Sequence, residues 1–184
     1  MRKFIVAFFM LAVLVSLVSC EQKESQVVDR KAEMKTSIDS LESVLKAAEG
    51  DLDEDLGLQM IDAYVGYAKE FEADTASVIY WYKAGEIAQN IPGKELYAVT
   101  YFANIFEDHP NHALAPQSVF LSGVAFDKMG DKERAAVSFE HFLEAYPSHD
   151  WAPDAQAMLQ MSTDTTDLDT QVKAWLENAN KTQE

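Results

Sequence analysis

The chain is poor in cysteine, glycine, proline and basic residues, and each shortage closes off a class of protein. Its 184 residues include one cysteine, so no disulfide can form within the chain. Seven glycines and five prolines are too few for an all-β chain dense in turns or for a low-complexity segment. Fifteen Lys and Arg stand against 31 Asp and Glu, a net charge of −16. Such a body repels phosphate backbones and anionic lipid head groups, which argues against nucleic acid as a partner. No Ser-His-Asp arrangement, Gly-rich phosphate loop or H-E-x₂-H motif is present, so no enzyme site and no cofactor is expected. The longest uncharged apolar run, Phe4 to Val18, is shorter than the roughly 20 residues that span a bilayer as a helix.

That run follows Met1-Arg2-Lys3 and ends in Leu17-Val18-Ser19-Cys20, the layout of an export signal. The ending resembles the lipobox of bacterial lipoproteins, with Leu three before the cysteine and a small residue directly before it. The resemblance implies that residues 1–19 are removed and that Cys20 carries the lipid, the attachment to the membrane. Loss of Arg2 and Lys3 would leave 13 basic against 31 acidic residues, a net −18, so the anchor would be the lipid and not basic side chains. Residues 20–26 read as a polar tether. Within it, Gln22-Lys23-Glu24 resembles the surface-export signals of lipoproteins in the Bacteroidetes group.

Beyond the tether, apolar periodicity and breakers predict helices throughout. A first helix is expected at about 27–48, where Met34, Ile38, Leu41, Leu45 and Ala48 form one stripe. That stripe suits either a cap on the rest of the chain or an oligomeric coiled coil. Further helices are expected at about 55–71, 75–90, 94–107, 115–128, 132–145 and 153–161. A last one is expected at 168–180, N-capped by Asp167 after a polar linker. Connections are short, so neighbours must pack antiparallel.

Two segments match at an offset of 37. Phe102 to Pro110 matches Phe139 to Pro147, and His112-x₃-Pro116 matches His149-x₃-Pro153. Similarity at a fixed period signals stacked helical repeats. The pattern resembles the tetratricopeptide (TPR) family. Ala98, Phe102 and Pro110, then Ala135, Phe139 and Pro147, supply the A-x₃-F…P half. Trp81, Ala84, Gly85 and Ala88, then Val119, Ser122, Gly123 and Phe126, supply the first half. Ala63, Tyr67 and Thr75 read as a degenerate earlier copy lacking the proline. The long loops are similar to those in the repeat domains of the Tol–Pal accessory protein and the outer-membrane assembly lipoprotein.

The resemblance implies an all-α, TPR-like superhelical stack of helix hairpins, about seven or eight helices, with a repeat domain over 58–161. An N-terminal helix and acidic turn (27–57) would precede it, and a linker with a capping helix (162–184) would follow. Gly85 and Gly123, with Ala98 and Ala135, would allow close helix approach, Phe102 and Phe139 would fill the space between hairpins, and Pro110 and Pro147 would stop the second helices. In the family, the first helix of each hairpin lines a groove that takes a peptide or partner helix. Carried over, that groove would present Tyr82, Glu86 and Gln89 on one helix and Phe120, Val124 and Asp127 on another. These residues lack the basic set of a carboxylate clamp, so an apolar or basic segment fits better than an acidic tail.

Metal chemistry has two weak candidates. His109 and His112 flank Pro110 without a third ligand at metal-like spacing, and the matched position of His112 and His149 favours a loop role. Asp51, Asp53, Asp55 and Asp62 fall at calcium-loop positions, but Leu56 stands where the turn requires glycine. The functional expectation is a non-catalytic adaptor at the outer membrane facing the periplasm, bound to an envelope protein or peptide segment. The alternative is a surface-exposed lipoprotein that aids ligand or nutrient capture. Oligomeric state is open.

Overall fold

Aspartate side chains cap the starts of three helices, at Asp53, Asp74 and Asp131, and local backbone bonds close the helix ends. The computed structural model describes residues 26–47 and 53–164. All seven elements there are helices: α1 (26–47), α2 (Glu54–Glu70), α3 (Thr75–Ala88), α4 (Glu95–Asp108), α5 (Ala115–Lys128), α6 (Lys132–Ala145) and α7 (Ala152–Thr163). No strand occurs among the described residues. Asp53 and Asp131 cap α2 and α6, accepting from the Leu56 and Arg134 amides at 2.7 and 3.0 Å. Pro116 and Pro153 sit in the first turns of α5 and α7, where a missing N–H costs nothing. Gly130, at φ 76°, closes α5 with the Asp131 amide bonded back to the Phe126 carbonyl at 3.0 Å. The helix expected at 168–180 and its Asp167 cap lie outside the described residues.

The chain divides into two compact units at Pro92/Gly93, inside the single repeat segment expected at 58–161. In the first unit α2 packs on α3, and the α1 stripe lies over both. Ile38 is 1% exposed, and Met34 reaches the α2 backbone beside Gly66. Ile38 is thus buried inside the chain and Met34, Leu41 and Leu45 are half-buried, while Ala48 lies outside the described residues. Ion pairs fix the register of α1, with Lys31 on Asp74 at 2.6 Å and Lys83 on Glu42 at 2.7 Å. In the second unit α4 packs on α5, α5 on α6 and α6 on α7, as a run of helix hairpins. Its core holds Val119, Phe139 and Phe142, all at most 1% exposed, with Ala135 and Ala155. Burying each such large side chain contributes about 1.5–3 kcal/mol.

One corner recurs three times. The residues ending α2, α4 and α6 are Phe71, His109 and Tyr146, with φ −125°, −131° and −131° and ψ 52°, 52° and 51°. Their amides donate to Tyr67, Ile105 and Phe142, and all three of those side chains are fully buried. Three residues on, the amides of Asp74, His112 and His149 donate back to those end residues at 2.8, 2.9 and 3.1 Å. The same three residues then accept on their side chains from the backbone two residues ahead. Ala76 donates to Asp74 Oδ1 at 3.0 Å, Leu114 to His112 Nδ1 at 3.1 Å, and Trp151 to His149 Nδ1 at 3.1 Å. The histidines thus serve the loops.

This corner corrects the register of the earliest copy. Phe71 aligns with His109, so Met60 and Tyr64 are the counterparts of Ala98 and Phe102, not Ala63 and Tyr67. Glu72 occupies the place of Pro110, in front of Thr75. A slip of three residues leaves a helical side chain on nearly the same face, so periodicity alone cannot detect it.

Candidate functional site

The residues expected to pack between helices are the most buried of those singled out. Ala98, Phe102, Ala135 and Phe139 have no exposed surface, Trp81 is 8% exposed, and Ala84, Gly85 and Ala88 are buried on α3. Gly123 is a true close approach, because a Cβ there would stand 2.7 Å from the Phe139 ring. Val119 and Ser122 are buried beside it and Phe126 is half-buried, its ring under the Arg134 guanidinium at 4.6 Å. Pro110 and Pro147 are exposed in the turns after α4 and α6.

The expected groove residues divide between the two units. On α5, the Phe120 ring meets Phe139, Phe142 and Trp151 edge-on at 5.4, 5.8 and 5.2 Å. Val124 also packs against this core, and Asp127 pairs with Lys132. Phe120 and Val124 thus pack against the core while each stays partly exposed. On α3, Tyr82 is half-buried and Glu86 is exposed, and Gln89, the residue just past its end, is half-buried. Burial, then the neighbouring Glu86 carboxylate, pushes the Tyr82 hydroxyl up to about 12. Burial also raises the Glu86 carboxyl, against the opposing pull of Lys83 and of the Tyr82 hydroxyl that bonds to it.

Glu86 borders a cleft of about 320 Å³ in the first unit, formed by α1, α2 and α3. Leu45, Met60, Tyr64 and Ile87 give it an apolar lining, and Glu42, Lys83 and Glu86 give it charge. Glu42 accepts from Lys83 Nζ at 2.7 Å and from the Tyr64 hydroxyl at 2.8 Å. Burial opposes its ionisation, yet those two partners prevail and hold its carboxyl below the usual range. Of the lining, sequence reading named only Glu86 as a site residue and missed Glu42, Leu45, Met60, Tyr64, Lys83 and Ile87. The available signal was that Leu45 belongs to the α1 stripe, Glu42 flanks it and Lys83 adjoins Tyr82.

The metal candidates dissolve into backbone structure. Residues 54–62 are helical, so Asp55 and Asp62 cannot wrap an ion as parts of one loop, and Asp53 is a helix cap. Asp51 lies outside the described residues. Among the described residues no three His, Cys, Asp or Glu side chains converge as ligands. No helix of the described residues is long and apolar enough to cross a membrane. No protein-family model matches the chain, and no curated protein matches it.

Proposed function

We propose that this protein is a lipid-anchored, non-catalytic adaptor of the TPR kind, which holds a segment of an envelope protein on the first-helix face of its hairpins. The observation that carries the reading is the corner at Asp74, His112 and His149, which recurs along the chain at a nearly constant spacing. Repeats of this sort extend a surface one unit at a time, which suits binding. The lipobox ending in Cys20 supports attachment at the outer membrane, facing the periplasm.

Two measurements test it. A labelled fatty acid should enter the protein in cells and should not enter Cys20→Ser; an unlabelled wild type would remove the anchor. The Cys20→Ser chain should recover a specific protein from envelope extracts, with recovery reduced when Tyr82, Glu86 and Gln89 are changed together. Recovery of nothing counts against the adaptor. Gln22-Lys23-Glu24 favours a second reading, surface display for ligand capture, which requires that protease added to intact cells degrade the protein.

A further inference from the structure

We infer that the cleft between α1, α2 and α3 takes a single lysine or arginine side chain from the partner segment, with its methylene stem on Leu45, Met60 and Ile87 and its charged head on Glu86. The inference rests on the adaptor reading for its setting, and it names the chemistry that the partner must bring.

Size comes first. Sites for drug-sized ligands run from about 300 to 1,000 Å³, and this cleft has about 320 Å³. It accommodates one long side chain and not a partner helix. Its surface is mixed in the way such a side chain requires, with an apolar bed for a stem and an acid for the head. The charges then select the sign. Lys83 is already drawn onto Glu42 at 2.7 Å, with the Tyr64 hydroxyl completing that carboxylate. Lys83 reaches Glu86 only through its field, and Glu86 is left with the Tyr82 hydroxyl as its hydrogen-bond donor. An exposed carboxylate at the rim of an apolar bed is placed to take an added cation. The chain's net charge of −16 draws in a cation and repels an anionic head.

The test is a mutant cycle on the full chain in uncharged detergent, read by fluorescence anisotropy. The probes are labelled dodecapeptides of one apolar pattern with lysine, norleucine or glutamate at the central position. Norleucine keeps the stem and removes the charge. The lysine peptide should bind at least fivefold tighter than the norleucine peptide, and the glutamate peptide weaker than both. Glu86→Gln should abolish the lysine advantage, while Glu133→Gln, an equal change of charge on α6, should leave it. Leu45→Ser should weaken lysine and norleucine peptides alike.

A lysine advantage that survives Glu86→Gln, equal binding of lysine and norleucine, or no binding of either at millimolar concentration would overturn the inference. So would self-association of the chain that excludes the peptides, since a second copy would then be the occupant. The two readings fail separately. An envelope partner retained by Glu86→Gln overturns the cleft and leaves the adaptor. The expected cycle with no envelope partner overturns the adaptor and leaves the cleft.

Discussion

The corner at Asp74 and the corners at His112 and His149 hold the backbone in the same way with different chemistry. Asp74 is a charged group in company: Lys31 at 2.6 Å, the Tyr67 hydroxyl and the Ala76 amide all give it hydrogen bonds. His149 is an acceptor among rings, edge-on to Phe142 at 5.5 Å and to Trp151 at 5.7 Å. The first unit is thus tied by ion pairs and tyrosine hydroxyls running from α1 to α2 and α3, beside a ring cluster of Tyr64, Tyr67 and Tyr80. The second is tied by interlocked aromatic packing from α4 to α7. One backbone device serves in both because it needs only a lone pair aimed at an amide two residues ahead.

The packing half of the contrast gives the largest expected effect. Phe139→Ala should cost about 3–5 kcal/mol, the usual loss for a fully buried phenylalanine. Hydrogen exchange should show lost amide protection in α5, α6 and α7, with α2 and α3 retaining theirs. Equal loss in both units would mean that they unfold together, and the contrast would be one of composition only.

The electrostatic half comes next. Asp74→Ala should cost about 1.5–3 kcal/mol, because it leaves a buried tyrosine hydroxyl and Lys31 without their acceptor. Its acid dependence has a definite sign. The Ala76 amide first, then Lys31 and Tyr67, hold the Asp74 carboxyl far below its ordinary 3.8 in the folded state, against the effect of burial. That stabilisation is present above the unfolded value and is lost as pH falls from about 4 toward the folded one. Amide protection in α2 and α3 should therefore fall with pH below about 4, and Asp74→Asn should flatten that slope. A slope unchanged in Asp74→Asn would assign the acid sensitivity to other carboxylates.

Two glycines sharpen the contrast further. Gly123→Ala should cost about 1–3 kcal/mol, since its new methyl group would meet the Phe139 ring at 2.7 Å inside a packed core. Gly66→Ala in α2 meets only the end of Met34, at 3.6 Å, and should stabilise by about 0.5–1 kcal/mol through helix propensity. Thermal unfolding reads both. A neutral Gly123→Ala would mean that Phe139 can turn aside.

These sites differ in how far the sequence exposed them. Helix ends were legible wherever a breaker or cap stood, and α5 and α6 fall on 115–128 and 132–145 as expected. Phe102 and Phe139 were legible because a proline eight residues on fixed their register. The first copy has Glu72 in place of that proline, and the Ala63–Tyr67 pair then fits the pattern by a one-turn slip. Glu86 was legible as an acid on a first helix, but its cleft was not, because nothing in the periodicity of α1 says that Glu42 and Leu45 lie beside Lys83. Phe120 and Val124 show the converse limit. An apolar residue on a repeat helix suits a groove or a core equally well, and here Phe120 packs on Phe139, Phe142 and Trp151 while staying partly exposed.

The smallest effect bears most directly on whether the corners are equivalent. His149→Ala removes the acceptor of the Trp151 amide and should cost about 0.5–1.5 kcal/mol, the net worth of one hydrogen bond, beyond the lost ring contacts. His149→Asn loses the same rings but places a carbonyl oxygen within reach of the amide two residues ahead, as Asx turns do. If the shared function is the acceptor, asparagine should recover a clear part of the alanine loss, with exchange of the Trp151 amide slowed toward wild type. If asparagine and alanine are alike, His149 acts through its contacts with Phe142 and Trp151, and the Asp74 corner is matched in shape but not in what stabilises it.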